Sequence, residues 1–376
     1  WQGDMRVQTA KVQPDGYIGN LSFASPGGQD ASHPDVELNA AGDALMAWNT
    51  SDQGQNGIGY ATRKQAGDWN DATLTVGVPD PSAPRAMISD TGTTMISYAG
   101  SGRLLAAYRT KSLLPFTHFD SGDQDFVNAE HLAEMDDQGN VFLGGVVPGG
   151  QPGTGQLVGA FLDVAGPAVT VKAPTTVVGK SYLFSWSGAD RFSAVKDSDV
   201  FVRRAAWNGG FGQAQALAND TDDSSLHVGI APGQTACLVV QVRDSVGNLS
   251  PWTSERCTTA PVDDRKLAAA SGFTRAKGAG HFRGTVATTT KKGATMSLKG
   301  VSARRIALVV SKSADAGSVR VSLGGQKLGV FSLEGSGKRK VVAVKTFGSV
   351  KSGKLVVTVV SPHGKRVTID GVVLAK

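Results

Sequence analysis

The chain has 376 residues, among them 48 Gly, 15 Pro and two Cys, and a formal charge of +6. Nearly every window of a dozen residues holds a Gly or a Pro, which excludes long helices and predicts an all-β chain of two to four domains of about 100 to 200 residues each. No apolar run approaches the about 18 residues of a membrane-spanning helix, and the charge is unevenly spread: residues 265–376 hold 22 Lys and Arg against three acids, a formal +19, while residues 1–264 carry −13.

The chain opens without an initiator Met, in "MRVQTAKV" (5–12), with "YIGNLSFA" (17–24) after it. Three longer segments then align with one another. They are "HPDVELNAAGDALMAWNTSDQGQNGIGYATR" from His33, "APRAMISDTGTTMISYAGSGRLLAAYRT" from Ala83 and "NAEHLAEMDDQGNVFLGGVVPGGQPGTGQLVGAFLD" from Asn128. Each has a short strand, a tight turn at Gly42, Gly92 or Gly139, a second strand ("ALMAW", "TMISY", "VFLGG") and a third after a polar loop. A period of about 45 to 50 residues with about four strands is that of a propeller blade, because one small sheet cannot bury both of its faces alone. A β-sandwich with accidental similarity is the alternative. "MRVQTAKV" matches the third strand of the repeat, so residues 1–172 are expected to form about three and a half blades, starting halfway through one. A closed propeller needs about four to eight blades. The expectation is therefore an N-terminal fragment or partner chain that completes the ring, left by cleavage or by shortening of the chain. Trp48 and Tyr98 fall at equivalent positions and are expected to pack between blades.

From Ala173 the period stops. "YLFSWSG", "DVFVRRAAW", "SLHVGI", "TACLVVQVRDSVGNLSPW" and "SERCTT" are short strands parted by turns, with Trp186, Val200, Val202, Leu238, Val240 and Val242 as the expected core. Cys237 and Cys257 flank the "DSVGNLSPW" turn, so a disulfide between neighbouring strands is easy to form and points to an oxidising compartment; two unrelated buried thiols are the alternative. With "VQVRDSVGNLSPWT", residues 173–262 resemble a fibronectin type III domain. "APVDDR" (260–265) reads as a junction.

Residues 266–376 are Val-rich with two-residue alternation, broken at "GG", "GSG" and "HG", and predict a second, jelly-roll-like sandwich. Strands such as "GSVRVSLGGQKLG" and "VTIDGVVL" resemble the non-catalytic sandwich modules of secreted actinobacterial proteins and glycan-active enzymes. Together the three parts resemble a secreted actinobacterial multidomain surface protein, which implies an extracellular or cell-surface location.

Catalytic motifs are scarce. The six His form no pair, H-E-x-x-H and C-x-x-C are missing, and so are the nucleophile-elbow and phosphate-loop patterns. "SDQGQN" and "SDTGTT" resemble pieces of sialidase Asp-boxes without meeting the full pattern. A glycosidase needs two placed carboxylates, for which the first 172 residues offer Asp35, Glu37, Asp120, Asp123, Asp125, Glu130 and Glu134. In "DSGDQDF", Asp120, Asp123 and Asp125 are a candidate calcium set, since alternate carboxylates can converge on one hard cation; an exposed loop is the alternative. No other cofactor is expected.

Recognition is the stronger expectation. Lys299, Arg304 and Arg305 in "KGVSARR", Lys338, Arg339 and Lys340 in "GSGKRK", and Lys365 and Arg366 in "HGKR" put cations on turns and strand ends. Lysine outnumbers arginine there, 14 to 8 over residues 265–376, which suits diffuse attraction to an anionic polymer more than bidentate reading of bases. A solvated face is the plain alternative, nucleic acid is disfavoured for want of interleaved aromatics, and the acidic body is a further possible partner for the basic end. Trp69 in "GDWND" and Trp207 in "AAWNGGFG" are expected to be exposed rings suited to sugars. The reading is a secreted binding or scaffold protein that recognises glycans or anionic surface polymers. The alternative is the non-catalytic C-terminal portion of a glycan-active hydrolase whose active site lies in a missing or separately cleaved N-terminal part.

Overall fold

The computed structural model describes residues 5–52, 54–65, 67–74, 78–110, 115–122, 131–151, 153–269 and 272–376. Among them there is no α-helix, and two single turns of 3-10 helix, Asp264–Lys266 and Phe282–Gly284, are the only helical pieces. The all-β expectation holds. Among the described residues no helix is long and apolar enough to cross a membrane. The chain divides into two compact units, residues 1–165 and 166–376.

The first unit is a stack of small antiparallel sheets. A two-stranded sheet pairs β1 (Gln8–Val12) with β2 (Ile18–Phe23). Sheet I runs β3 (Asp30–Leu38), β4 (Ala44–Asp52), β5 (Gln55–Arg63), β6 (Asn70–Leu74) in order. Sheet II does the same with β7 (Ser82–Ile88), β8 (Thr94–Gly100), β9 (Arg103–Arg109), β10 (Thr117–Asp120). Sheet III has three strands, β11 (Leu132–Met135), β12 (Val141–Pro148) and β13 (Gly155–Leu162).

The repeat is physical as well as textual. Gly42, Gly92 and Gly139 each take a positive φ, of 78°, 87° and 105°, which glycine adopts without steric cost. In each turn the same two backbone bonds recur: Asn39, Ser89 and Asp136 donate to Asp43, Thr93 and Asn140, and accept from the turn glycine. Neighbouring turns also hold one another. The Asn39 side chain donates to the Ser89 carbonyl at 3.1 Å, and the Thr91 hydroxyl to the Gln138 carbonyl at 3.0 Å. A Cβ on Gly139 would lie 2.7 Å from Cβ of Thr93, so close approach as well as φ demands glycine there.

Both faces of the second strands β4 and β8 are buried because both are covered. Leu45 and Ala47 of β4 pack with Ile96 and Tyr98 of β8 between sheets I and II, while Met46 and Trp48 face the two-stranded sheet. Trp48 and Tyr98 are fully buried, as expected of packing residues between blades. Gly59 lies across the ladder from Trp48, and a Cβ there would overlap the indole.

The second unit begins with β14 (Ala168–Lys172), β15 (Ser181–Ala189), β16 (Val195–Ala206), β17 (Gln215–Thr221), β18 (Ser225–Gly229), β19 (Gln234–Asp244) and β20 (Arg256–Thr259). They form two sheets, ordered β14-β15-β18 and β17-β16-β19-β20, around one core. All six expected core residues, from Trp186 to Val242, lie in it. β14 falls inside the span first assigned to the propeller, yet it pairs with β15 through Val169, Val171 and their neighbours, so the stack ends before it. Cys237 and Cys257 face each other across β19 and β20 and are joined in a disulfide.

The remaining strands are β21 (Val262–Asp263), β22 (Ala268–Ala269), β23 (Thr274–Lys277), β24 (Thr285–Thr289), β25 (Thr295–Lys312), β26 (Ser318–Leu323), β27 (Gln326–Ser332), β28 (Gly337–Val359) and β29 (Val367–Ala375). They make one hydrogen-bonded network of nine strands. The long β25 and β28 change register at bulges and join both parts of it around a single large core.

Candidate functional site

The inner strands β3, β7 and β11 lie side by side in the first unit and line a cavity of about 350 Å3. The repeat decides what faces it. Positions 35, 85 and 132 carry Asp, Arg and Leu, and positions 37, 87 and 134 carry Glu, Met and Glu. Asp35 is committed: its carboxylate accepts from the Ala86 amide at 2.8 Å and stands 3.9 Å from the Arg85 guanidinium. His131 is buried at the wall and shares a 2.8 Å hydrogen bond with the Ser97 hydroxyl. Glu37 and Glu134 are exposed. The cavity thus joins carboxylates from the two outer sheets of three with one guanidinium and one imidazole, and among the described residues no Phe, Tyr or Trp lines it. Sequence reading named Asp35, Glu37 and Glu134 as candidate carboxylates; their convergence depends on blade stacking. Glu130, Asp123 and Asp125 lie outside the described residues. Asp120 is held by Arg103 at 3.0 Å and caps the Gly122 amide at 2.9 Å, so its oxygens already have partners. Cys237, Glu255 and Cys257 come together, but the two sulfurs are bonded to each other and are not available as thiolate ligands.

The second candidate is the surface of the nine-stranded sheet. Lys299, Arg304, Lys338, Arg339, Lys340, Lys365 and Arg366 are all exposed. Of the three acids in residues 265–376, Asp370 is fully buried, which leaves Asp315 and Glu334 as the exposed ones. Arg366 and Lys291 lie on a groove of about 320 Å3 floored by Thr274, Thr288, Thr289 and Thr290. Two cations over a row of threonine hydroxyls make a donor-rich surface that suits oxyanions.

Three expected site residues are placed elsewhere. Arg305 is half-buried, and its guanidinium donates to the Thr175 carbonyl at 2.8 Å and the Thr176 hydroxyl at 2.9 Å, tying the two sandwiches together. Burial pushes its pKa down. Trp207 is half-buried against the core of the nine-stranded sheet, and its carbonyl accepts from the Ser302 amide. Trp69 is half-buried too: its indole donates to the Thr9 hydroxyl at 3.0 Å and the Arg63 guanidinium lies 5.0 Å from the ring. None of these rings is the open platform expected, because each closes a seam between sheets.

No family model matches the chain, and no curated relative matches it. Among solved structures it is similar to an exo-β-1,3-galactanase from Phanerochaete chrysosporium, at 12% identity over 99% of this chain and 100% of that one, with a TM-score of 0.26. It is also similar to carbohydrate-binding modules of the β-sandwich superfamily (12% identity, 56% of this chain and 98% of that one, TM-score 0.30). A third likeness is to a β-fructofuranosidase from Bombyx mori (9% identity, 92% of this chain and 91% of that one, TM-score 0.25). Likenesses this loose leave the functional reading to the residues themselves.

Proposed function

We propose that the protein is an extracellular binding protein that holds an anionic polysaccharide or phosphate-bearing surface polymer on its nine-stranded domain. The observation that carries this reading is the groove of Lys291, Arg366 and the threonines, set in a surface with two exposed acids. Isolated anionic groups would sit against hydroxyl and ammonium donors, and the outlying Lys299, Lys338, Arg339 and Lys340 would follow the polymer as point charges. The disulfide supports an oxidising location. The test is titration of poly(glycerol phosphate) and dextran sulfate against neutral dextran, at low and high salt. Lys291→Ala with Arg366→Ala should weaken binding of the anionic polymers about tenfold, about 1.4 kcal/mol, and high salt should weaken it in the native chain. Equal binding of neutral dextran would refute the reading.

A second reading rests on the cavity of the first unit. Glu37 and Glu134, from equivalent positions on either side of sheet II, both line this cavity, and glycosidic hydrolysis requires two placed carboxylates. In this reading the first unit itself carries the site of a hydrolase. Hydrolysis of a panel of aryl glycosides, abolished by Glu37→Gln and by Glu134→Gln, would support it; a native chain inactive across the panel would end it.

A further inference from the structure

Five tryptophans lie among the described residues, and four of them are packed away. Trp48 and Trp186 are buried and Trp69 and Trp207 half-buried, whereas Trp252 in "NLSPWTSE" is 45% exposed. It does not sit on a loose loop. On one side of it the Ser250 amide donates to the Val242 carbonyl at 2.8 Å, and the Ser250 hydroxyl accepts from the Val242 amide at 2.9 Å. On the other side Thr253 holds Val240 in the same two ways, at 2.9 Å and 3.0 Å. Residues 250–253 thus run along β19 ahead of β20, and the disulfide at Cys257 fastens the same edge. A ring on so fixed a backbone loses little further freedom when something binds it.

The indole meets a second ring. Phe201 of β16 alternates with the core residues Val200 and Val202, so it stands on the outer side of the sheet, beside its pairing partner Val239 of β19. The Trp252 and Phe201 rings meet edge to face, with centroids 5.4 Å apart and planes at 89°. In such a corner each ring keeps at least one face that the other does not take. Fixed polar groups bound the corner along the strands. On one side Arg203, two residues beyond Phe201, is ion-paired with Glu255. On the other, Asp199 pairs with Gln241, whose side-chain amide donates to the Ser250 carbonyl at 2.7 Å. Beyond them the Arg243 guanidinium reaches Asp197 at 3.1 Å and Asp220 at 2.8 Å.

Size and charge both narrow the occupant of this face. A fully buried aromatic side chain contributes about 150–250 Å2, and Phe201 is already half-buried. The corner therefore falls well short of the about 800 Å2 per partner of a stable protein interface. It is wide enough for a sugar ring. Two guanidiniums stand among four carboxylates, Glu255, Asp197, Asp199 and Asp220, so the face is no place for the anionic polymer proposed for the nine-stranded domain. We propose that it is a second binding site, for a neutral β-1,4-linked glycan. A β-1,4-linked glucan carries its hydroxyls and links equatorially, which leaves flat C–H faces to pack on the negative face of an aromatic ring. The hydroxyls at the rim then meet Gln241, Arg203 and Glu255, a few placed polar groups around an apolar contact.

Titration of the full chain with cellohexaose tests this, followed by indole fluorescence and calorimetry. The native chain should bind it equally at low and high salt, and Trp252→Ala should weaken binding at least about tenfold. Trp252→Phe keeps a ring and should recover most of that loss, with circular dichroism showing both variants folded. Lys291→Ala with Arg366→Ala should leave cellohexaose binding unchanged, so that this site and the anionic-polymer site stand or fall separately. Dextran should not compete, because its α-1,6 links let neighbouring rings turn out of a common plane. A native chain that does not bind cellohexaose would overturn the proposal, as would full binding by Trp252→Ala or loss of binding in high salt. If light scattering gave two copies for the native chain and one for Trp252→Ala, the face would join two chains instead, and the glycan site would fall.

Discussion

The sheet stack and the nine-stranded domain bury apolar surface in opposite ways. The nine-stranded domain encloses 24 buried side chains in one cluster, because β25 and β28 bend and bring their own two ends over a common interior. The stack has no such interior. Its apolar side chains are divided among clusters of nine, eight and six buried residues, each shared between two neighbouring sheets. A domain of the first kind is finished by its own strands. In one of the second kind the stability of every sheet depends on its neighbour, as in repeat proteins generally.

The largest expected effect comes from weakening one seam of the stack. Leu45→Ala removes a fully buried side chain between sheets I and II and should cost about 2–5 kcal/mol, the usual range for such truncations. Urea unfolding should then show two transitions, with only the earlier one shifted. Limited proteolysis should leave a stable fragment spanning the second unit. Leu308→Ala, in the large core, should cost a similar about 2–5 kcal/mol and shift the later transition alone. A single transition that moves equally in both variants would show the two units to be one cooperative block, and the contrast would fail.

The same contrast explains what was readable in the sequence. Short-range features were: Gly42, Gly92 and Gly139 sit at positive φ whatever surrounds them, and the spacing of the strands around them follows. So was the middle core, since alternation along β19 places Leu238, Val240 and Val242 on one side. Residues whose environment is made by distant strands were harder. Trp69 lies beside a polar loop in sequence but closes against Thr9, 60 residues away. Arg305 stands in a basic run yet reaches Thr175 and Thr176, about 130 residues back. The cavity carboxylates were visible singly, but only blade stacking brings positions 37 and 134 to one space.

The smallest effect is in pH, where the two units should move in opposite directions. In the stack, burial pushes the Asp136 carboxyl up, but hydrogen bonds from the amides and side chain of Asn140 and from the Gly139 and Gln138 amides outweigh it and hold the pKa below its ordinary 3.8. That carboxylate favours the folded stack above the ordinary value, and its contribution is lost as pH falls through the lowered one. In the nine-stranded domain, burial raises the pKa of Asp370 above 3.8, against the opposing pull of the Phe282 amide and of His281, 3.6 Å away. Here the protonated form favours the fold: its contribution is complete below 3.8 and is lost as pH rises through the raised value. Mild acidification from neutrality should therefore stabilise the second unit first, and stronger acid should weaken the stack. Calorimetry across that range should resolve shifts of about 1–2 °C for each unit. Asp370→Asn keeps one acceptor for Phe282 and should flatten the rise of the second unit alone, and Asp136→Asn the fall of the first. If acid moved both units the same way, buried carboxyls of opposite shift would not be what separates them.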